Sequence, residues 1–161
     1  MACFIACNKK DTVATDNVAV KDFIESLESN QSDLKEIPVF SWGDIPALLD
    51  YRDETSFIKN YPVNPISSFV APEISLGIYV LWTIESIREV ANDSENLLGS
   101  FPSLNPILSL KNVIEPEDID SKEAHEIAAK AYFDWWDNNK DKDFDEFKKI
   151  DPLEETTLRW R

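Results

Sequence analysis

The residues able to do acid–base or metal chemistry are few in this chain, and their positions limit what it can catalyse. His125 is the only histidine, and the four residues after it lack the second histidine of a zinc-protease helix. Both cysteines, Cys3 and Cys7, lie near the N-terminus, so they provide neither a set of zinc ligands nor a disulfide framework. The three glycines are isolated, which excludes Gly-rich phosphate loops, because such loops need several residues without a Cβ. We therefore predict no catalytic residue, no metal and no cofactor, and a chain that is not an enzyme.

One acidic segment, residues 137–145, resembles the start of a calcium-binding loop. Its oxygen-bearing side chains recur at alternate positions, as they do in an EF-hand. An EF-hand also needs glycine at its sixth position and glutamate at its twelfth, and these positions are Lys142 and Lys148 here. We expect a solvated turn between helices, with a weak calcium site as the alternative.

Glu85 and Arg88 are opposite charges three residues apart within a strongly apolar segment. On a helix this spacing brings the two side chains to one face. An unpaired charge in such a segment would cost several kcal/mol, about 3–5 when one partner of a buried pair is removed. We predict a structural ion pair, with a ligand-binding pair as the alternative.

Trp135 and Trp136 are adjacent and are flanked on both sides by aspartates. Adjacent residues on a helix point about 100° apart, so we expect one of the two indoles to lie outside the core, in a surface groove. Tryptophan is a frequent anchor at interfaces. We predict a partner or ligand surface formed by these two residues with Trp42 and Asp44; packing without recognition is the alternative.

The charge balance excludes several classes of partner. The chain has 31 acidic and 16 basic residues, a formal net charge of −15, and the acidic excess extends along its whole length. Without a stripe of Lys and Arg, the chain would be repelled by the phosphates of a nucleic acid and by an anionic membrane surface. The charge favours solubility and fast encounter with a basic partner.

The N-terminal residues Phe4–Cys7 resemble the lipobox of bacterial lipoproteins, in which a small residue precedes the cysteine that receives the lipid. We predict lipid attachment at Cys7, with residues 1–16 as a truncated signal and flexible tether. Only Ala2–Ala6 precede Cys7, whereas a signal peptide needs an apolar run of about 7–15 residues, so export would require codons upstream of Met1. The predicted location is the cell envelope, facing the periplasm or the cell surface; the alternative is a cytoplasmic protein.

Hydrophobic spacing of three and four residues predicts helices. Apolar residues between Val20 and Leu27 share one helical face. A second helix is predicted over residues 72–91, with Pro72 at its first position. Its residues from Ile74 to Ile87 are apolar nearly all round, which is typical of a buried central helix. Asp120 and Glu123 have the spacing of a capping box for a last long helix, ending near Asn138. The sequence has no Asn-Gly or Asp-Gly turn and no sustained alternation. We predict an all-α fold, with one helical domain over residues 17–161 and Pro-rich irregular connections.

Five short segments resemble sequences of a family of small lipoproteins of unknown function from gut-type Gram-negative bacteria. The segments are Phe40–Pro46, Asn64–Ser68, Leu81–Arg88, Pro102–Pro106 and Ala131–Trp136. The similarity covers roughly residues 37–140. The resemblance implies an envelope location and a mainly helical fold, and it supplies no activity and no catalytic residue.

Three functions follow as expectations. The first is a non-catalytic binding or accessory module of the envelope that docks an unknown protein or glycan. The second is an acidic inhibitor or immunity-type protein that neutralises a basic partner. The third is a hydrolase that uses carboxylates which no motif reveals.

Overall fold

The computed structural model describes residues 17–30, 33–94, 97, 99–112 and 122–161. These residues form five α-helices and two small antiparallel sheets of two strands each. The helices are α1 Val18–Glu28, α2 Ile45–Leu49, α3 Leu76–Ala91, α4 Lys122–Asp137 and α5 Phe144–Phe147. The strands are β1 Phe57–Ile58, β2 Ile74–Ser75, β3 Leu108–Leu110 and β4 Leu158–Trp160, and a 3₁₀ turn, Trp42–Asp44, leads into α2. The fold is therefore mixed α/β, and the all-α prediction was wrong.

The strands escape sequence analysis because each is only two or three residues long. In the first sheet β1 pairs with β2, with Phe57 opposite Ser75; in the second β3 pairs with β4, with Leu108 opposite Trp160. Alternation needs at least four residues to be visible. These strands exist because tertiary contacts bring two distant segments side by side, where their backbone groups satisfy one another.

Helix α3 is the centre of the core. Its residues Leu76–Arg88 are buried without interruption, as expected for a helix that is apolar on all sides. The helix begins at Leu76 and not at Pro72, because Ile74 and Ser75 pair with β1 and hold an extended backbone before the first turn. None of the helices in the described ranges is long and apolar enough to cross a membrane.

Gly77 lets two other parts of the chain approach the first turn of α3. A Cβ at this position would lie 2.5 Å from the carbonyl oxygen of Arg52, 2.5 Å from Nε2 of His125 and 2.8 Å from the carbonyl oxygen of Glu54. The His125 Nε2 lies 2.8 Å from the same Arg52 oxygen and donates a hydrogen bond to it. The start of α4 is therefore held against α3 by a contact that only glycine permits.

Candidate binding groove

A groove of about 490 Å³ runs between α4 and residues 150–156. Its volume lies within the roughly 300–1,000 Å³ that is typical of ligand sites. On the α4 side, Ile127, Ala131, Asp134 and Asn138 recur at helical spacing and so share one face. The opposite wall begins at Ile150 and is formed by the turns that lead into β4.

Lys111 holds the opposite wall in place from the end of β3. Its ammonium group donates to three backbone carbonyls, those of Leu153, Glu154 and Thr156, at 2.7, 2.8 and 3.0 Å. The Asp151 carboxylate accepts a hydrogen bond from the Leu153 amide at 2.8 Å. The Leu153 carbonyl also accepts from the amide and the hydroxyl of Thr156. Turns without a regular ladder leave carbonyls unpaired, and Lys111 satisfies those of Glu154 and Thr156.

Replacing Lys111 by Met is expected to loosen this wall while leaving the aliphatic stem in place. Hydrogen bonds to a charged donor contribute more than neutral ones, and for this partly exposed group we expect a loss of about 1 kcal/mol in the free energy of unfolding. Chemical denaturation of Lys111→Met measures it. The matched control, Lys149→Met, removes an exposed lysine with the same change of charge and should stay within about 0.5 kcal/mol of the parent. Equal losses in the two variants would contradict this role for Lys111.

The groove carries an excess of negative charge. Four carboxylates line it, those of Asp134, Asp151, Glu154 and Glu155, together with a single lysine, Lys130. Lys130 is paired with Asp134 one turn along α4. In the part of the chain that the structure describes, no lysine or arginine forms an ion pair with the other three carboxylates. The groove can therefore accept a cation without first breaking an internal pair.

Trp135 lines the groove and is 5 % exposed, and Trp136 is 9 % exposed. Both indoles belong to the core, so the expectation that one would lie outside it was wrong, but Trp135 also lines the surface groove, as was expected of one of the two. Phe147 of α5 packs edge-on against both rings, at centroid distances of 5.2 and 6.1 Å. Helix α5 thus covers the two faces of α4 on which the indoles lie, and both rings become part of the core.

The indole nitrogen of Trp135 is buried and has no hydrogen-bond partner among the described residues. Tryptophan Nε1 is a donor only, and leaving a buried donor unsatisfied costs about 1–3 kcal/mol. Trp135 lines the groove, but its nitrogen is buried and out of reach of a molecule bound there, so this cost lies within the core.

Trp42 lies at the far end of the same aromatic cluster. Its half-exposed ring stacks on Phe144 at 6.2 Å, and Phe144 meets Phe147 edge-on at 5.2 Å. The structure therefore links Trp42 to Trp135 and Trp136 through α5, although Trp42 does not line the groove.

Asp44 has a local structural role. Its carboxylate accepts hydrogen bonds from the Ser41 amide and hydroxyl and from the Asn17 side chain. Partial burial acts to raise the pKa of Asp44, but these hydrogen bonds outweigh it and lower the pKa below its ordinary value. The carboxylate caps the 3₁₀ turn and joins it to the start of α1.

Glu85 and Arg88 form a buried pair on α3. The Arg88 Nε donates to Glu85 Oε2 at 3.0 Å, a second guanidinium nitrogen contacts Glu85 Oε1, and Nη1 donates to the Lys148 carbonyl at 3.2 Å. The Tyr132 hydroxyl donates to Glu85 at 2.7 Å and accepts from Trp160 Nε1 at 2.8 Å. Burial opposes the charge of Arg88, but the contacts with Glu85 prevail and raise the pKa of Arg88. This network joins α3, α4 and β4.

The other sequence predictions are placed as follows. Three of the four carboxylates of residues 137–145 are engaged locally: Asp137 pairs with Lys140, Asp143 caps α5 and Asp145 pairs with Lys148. Within the described ranges no group of three or more His, Cys, Asp or Glu residues could hold a metal ion. Cys7 and Asp120 lie outside the described residues.

Sequence reasoning missed the second wall of the groove. The tail from Leu153 onward has no clear period, and nothing local marks Glu154, Glu155 or Ile150 as neighbours of α4. Lys111 was missed for the same reason, because its three acceptors lie more than forty residues further along the chain. The one feature of the sequence that could have indicated this wall was the acidic excess of the C-terminal third of the chain.

The fold and the groove define a small mixed α/β protein with a charged cleft on one side of a buried central helix. The chain belongs to the family described as a domain of unknown function (DUF4943), whose model matches residues 14–161. No curated protein and no solved structure matches the chain.

Proposed function

We propose that this chain is a non-catalytic binding module of the cell envelope, held there by a lipid on Cys7, and that it docks a partner in the groove beside α4. The observation that carries the proposal is the groove itself, about 490 Å³ between α4 and residues 150–156, in which three of the lining carboxylates have no cation partner among the described residues. A partner that brings a positive charge can pair with these carboxylates without breaking an ion pair within the chain.

The groove also supports one of the two other expectations. An inhibitor or immunity-type protein that neutralises a basic partner would present carboxylates that are not already paired, as Asp151, Glu154 and Glu155 do. The two functions differ in the partner: an inhibitor suppresses the activity of a basic enzyme, whereas an accessory module leaves the activity of its partner unchanged or increases it.

Docking is tested by site-specific photo-crosslinking in native membranes. A photoreactive residue is placed at Ile127 or Ile150, exposed positions on opposite walls of the groove, and as a control at Ile66, which is exposed outside the groove. We expect one discrete adduct from each groove position and none from the control. Excess parent protein should compete with the adduct, and excess Glu154→Gln/Glu155→Gln protein should compete poorly. An adduct from Ile66 alone, or equal competition by both proteins, would refute docking in the groove.

The envelope assignment is tested separately. A full-length version with its upstream codons is expected to incorporate labelled palmitate, and Cys7→Ser should abolish the label. Absence of label in the parent would remove the anchor from the proposal and leave the groove untouched.

A further inference from the structure

Two loops bonded to α3 present large apolar side chains to solvent. They are residues 60–72, between β1 and β2, and residues 99–107, which lead into β3. Tyr79 and Trp82 of α3 each donate a side-chain hydrogen bond to one of the loops. Neither loop contains a charged residue, although 29 % of the chain is charged. Four large hydrophobic residues of these loops are roughly half-exposed or more: Ile66, Phe69, Val70 and Leu104.

Hydrogen bonds join the two loops directly. The Asn64 side chain donates to the Ser103 carbonyl at 3.0 Å. The Asn105 side-chain amide, oriented so that its nitrogen faces two oxygens, donates to the Ser67 hydroxyl at 2.7 Å and to the Phe69 carbonyl at 2.6 Å. Each of the four exposed apolar side chains belongs to one of these bonded residues or to its neighbour in the chain. The four therefore lie on one part of the surface, which we call the apolar loop surface.

The backbone amides beneath the apolar loop surface have partners within the loop itself. The Ile66 amide donates to the Asn64 side chain at 3.2 Å. The Ser67 amide donates to the Asn64 carbonyl at 3.0 Å, and the Phe69 amide to the Ser67 hydroxyl at 3.2 Å. A loop in water does not need such partners, because water satisfies its exposed amides. A loop that enters lipid does need them, since hydrocarbon offers none.

The chemistry of the apolar loop surface favours a lipid bilayer over a protein as its partner. Protein interfaces rely on Trp, Tyr and Arg anchors and on hydrogen bonds across the interface, whereas the four exposed side chains here are three aliphatic groups and one phenyl ring. A second copy of the chain would bring another net charge of −15, and the loops carry no charge to offset the repulsion. A bilayer of zwitterionic lipids has no net charge, so it does not repel the acidic body of the protein.

We propose that the apolar loop surface inserts its four side chains into the interfacial region of a bilayer of zwitterionic lipids. Such side chains lie at the boundary between headgroups and acyl chains, about 5–10 Å deep. The contact is separate from the groove beside α4, goes beyond the proposed function, and fixes which side of the domain faces the membrane. A lipid on Cys7 would be a second attachment in the same molecule, and two weak attachments together hold far more firmly than either alone. A photoreactive residue at Ile66 then meets lipid and still gives no adduct with a protein.

Binding is measured by co-flotation of the full, unlipidated chain with phosphatidylcholine vesicles. We expect the bound fraction to rise with lipid concentration, and binding to weaken when part of the lipid is anionic phosphatidylglycerol. Ile66→Ser/Leu104→Ser should lower the partition coefficient about tenfold, because two apolar side chains no longer leave water. The control, Ile127→Ser/Ile150→Ser, removes two exposed apolar residues of the groove and should lower it less than about twofold. No binding by the parent, equal losses in the two variants, or tighter binding to the anionic vesicles would overturn the proposal.

Quenching by lipid tests the insertion itself. A fluorophore is attached at Phe69→Cys, or at Ile127→Cys as the control, in chains that also carry Cys3→Ser/Cys7→Ser. Phosphatidylcholine brominated on its acyl chains should quench the label at position 69 and not the label at position 127. Equal quenching at both positions, or none at position 69, would refute insertion of the loops. A parent that ignores vesicles but sediments as a dimer, dissociated by Ile66→Ser/Leu104→Ser, would make the surface an interface between copies and overturn the lipid contact.

Discussion

The Arg88→Met variant is expected to lose about 3–5 kcal/mol of unfolding free energy at neutral pH, because it leaves the Glu85 carboxylate buried without its cation. Both side chains are below 10 % exposed, and among the described side chains only the Tyr132 hydroxyl still donates to Glu85 after the substitution. Urea denaturation monitored by tryptophan fluorescence measures the loss. The control is Arg159→Met, an exposed arginine of β4, which should change stability by no more than about 0.5 kcal/mol.

The pH dependence of the Arg88→Met deficit identifies its cause. Burial raises the pKa of Glu85, and Arg88 is the main group that acts to lower it. Removing Arg88 therefore raises the pKa of Glu85 in the folded state further above its unfolded value. Stability that depends on such a raised pKa is present at low pH and is lost as pH rises through the folded pKa. The deficit should thus shrink as pH is lowered from 8 towards the ordinary range of glutamate, about 4.3.

A double variant tests whether the buried charge of Glu85 causes the loss. In Glu85→Gln/Arg88→Met the buried charge is gone, so this double variant should be more stable than Arg88→Met alone and its deficit should not change with pH in the same window. A double variant that is less stable than the single one would show that Glu85 contributes by packing and hydrogen bonding rather than as an ion, and would contradict the proposed cause.

Gly77→Ala should be the second large loss, of about 2 kcal/mol. Alanine is preferred over glycine within a helix by about 1 kcal/mol, so propensity alone predicts stabilisation. The added Cβ would meet two backbone carbonyls and a histidine ring at 2.5–2.8 Å, and overpacking of this kind costs about 3 kcal/mol at the upper end of its usual range. Overpacking outweighs propensity because two of the three neighbours are backbone atoms that cannot rotate away.

Gly43→Ala is the matched control. A Cβ there would meet only the Ser41 hydroxyl, at 3.5 Å, so we expect less than about 0.5 kcal/mol of change. Thermal unfolding of both variants gives the comparison. If Gly77→Ala is as stable as the parent, the first turn of α3 is not held as closely as its three neighbours imply. His125→Ala in the Gly77→Ala background should recover only part of the loss, because the carbonyls of Arg52 and Glu54 remain.

The sequence alone predicted those helices whose position is set by residues within about a dozen positions of one another. Helix α1 follows from its apolar face, which the structure buries at Val20, Phe23, Ile24 and Leu27, and Asn17 caps it with its side chain. The burial of α3 follows from composition alone, because no orientation of such a helix leaves a polar face for water. The start of α3 was misplaced by four residues because the pairing of β2 with β1 competes with the first helical turn.

The candidate site was less predictable. The sequence predicted that one of the two indoles lies in a surface groove, and Trp135 does line one, but both rings are also part of the core. The groove exists because residues 150–156, which follow α5, form its second wall. The chain has so many acidic residues that the sequence alone could not indicate which of them lie together in the fold.

Local patterns thus determined that the chain forms amphipathic and buried helices and that its sequence holds no recognisable catalytic motif; the exclusion of nucleic acids as partners stays a prediction. Tertiary structure alone decided the two small sheets, the close contact at Gly77 and the groove between α4 and residues 150–156. The physical reason is the same for all three: each depends on backbone hydrogen bonds or side-chain contacts between residues far apart in the chain. Helical periodicity depends on residues that are close together in the sequence, so it carries no information on contacts between residues far apart in the chain.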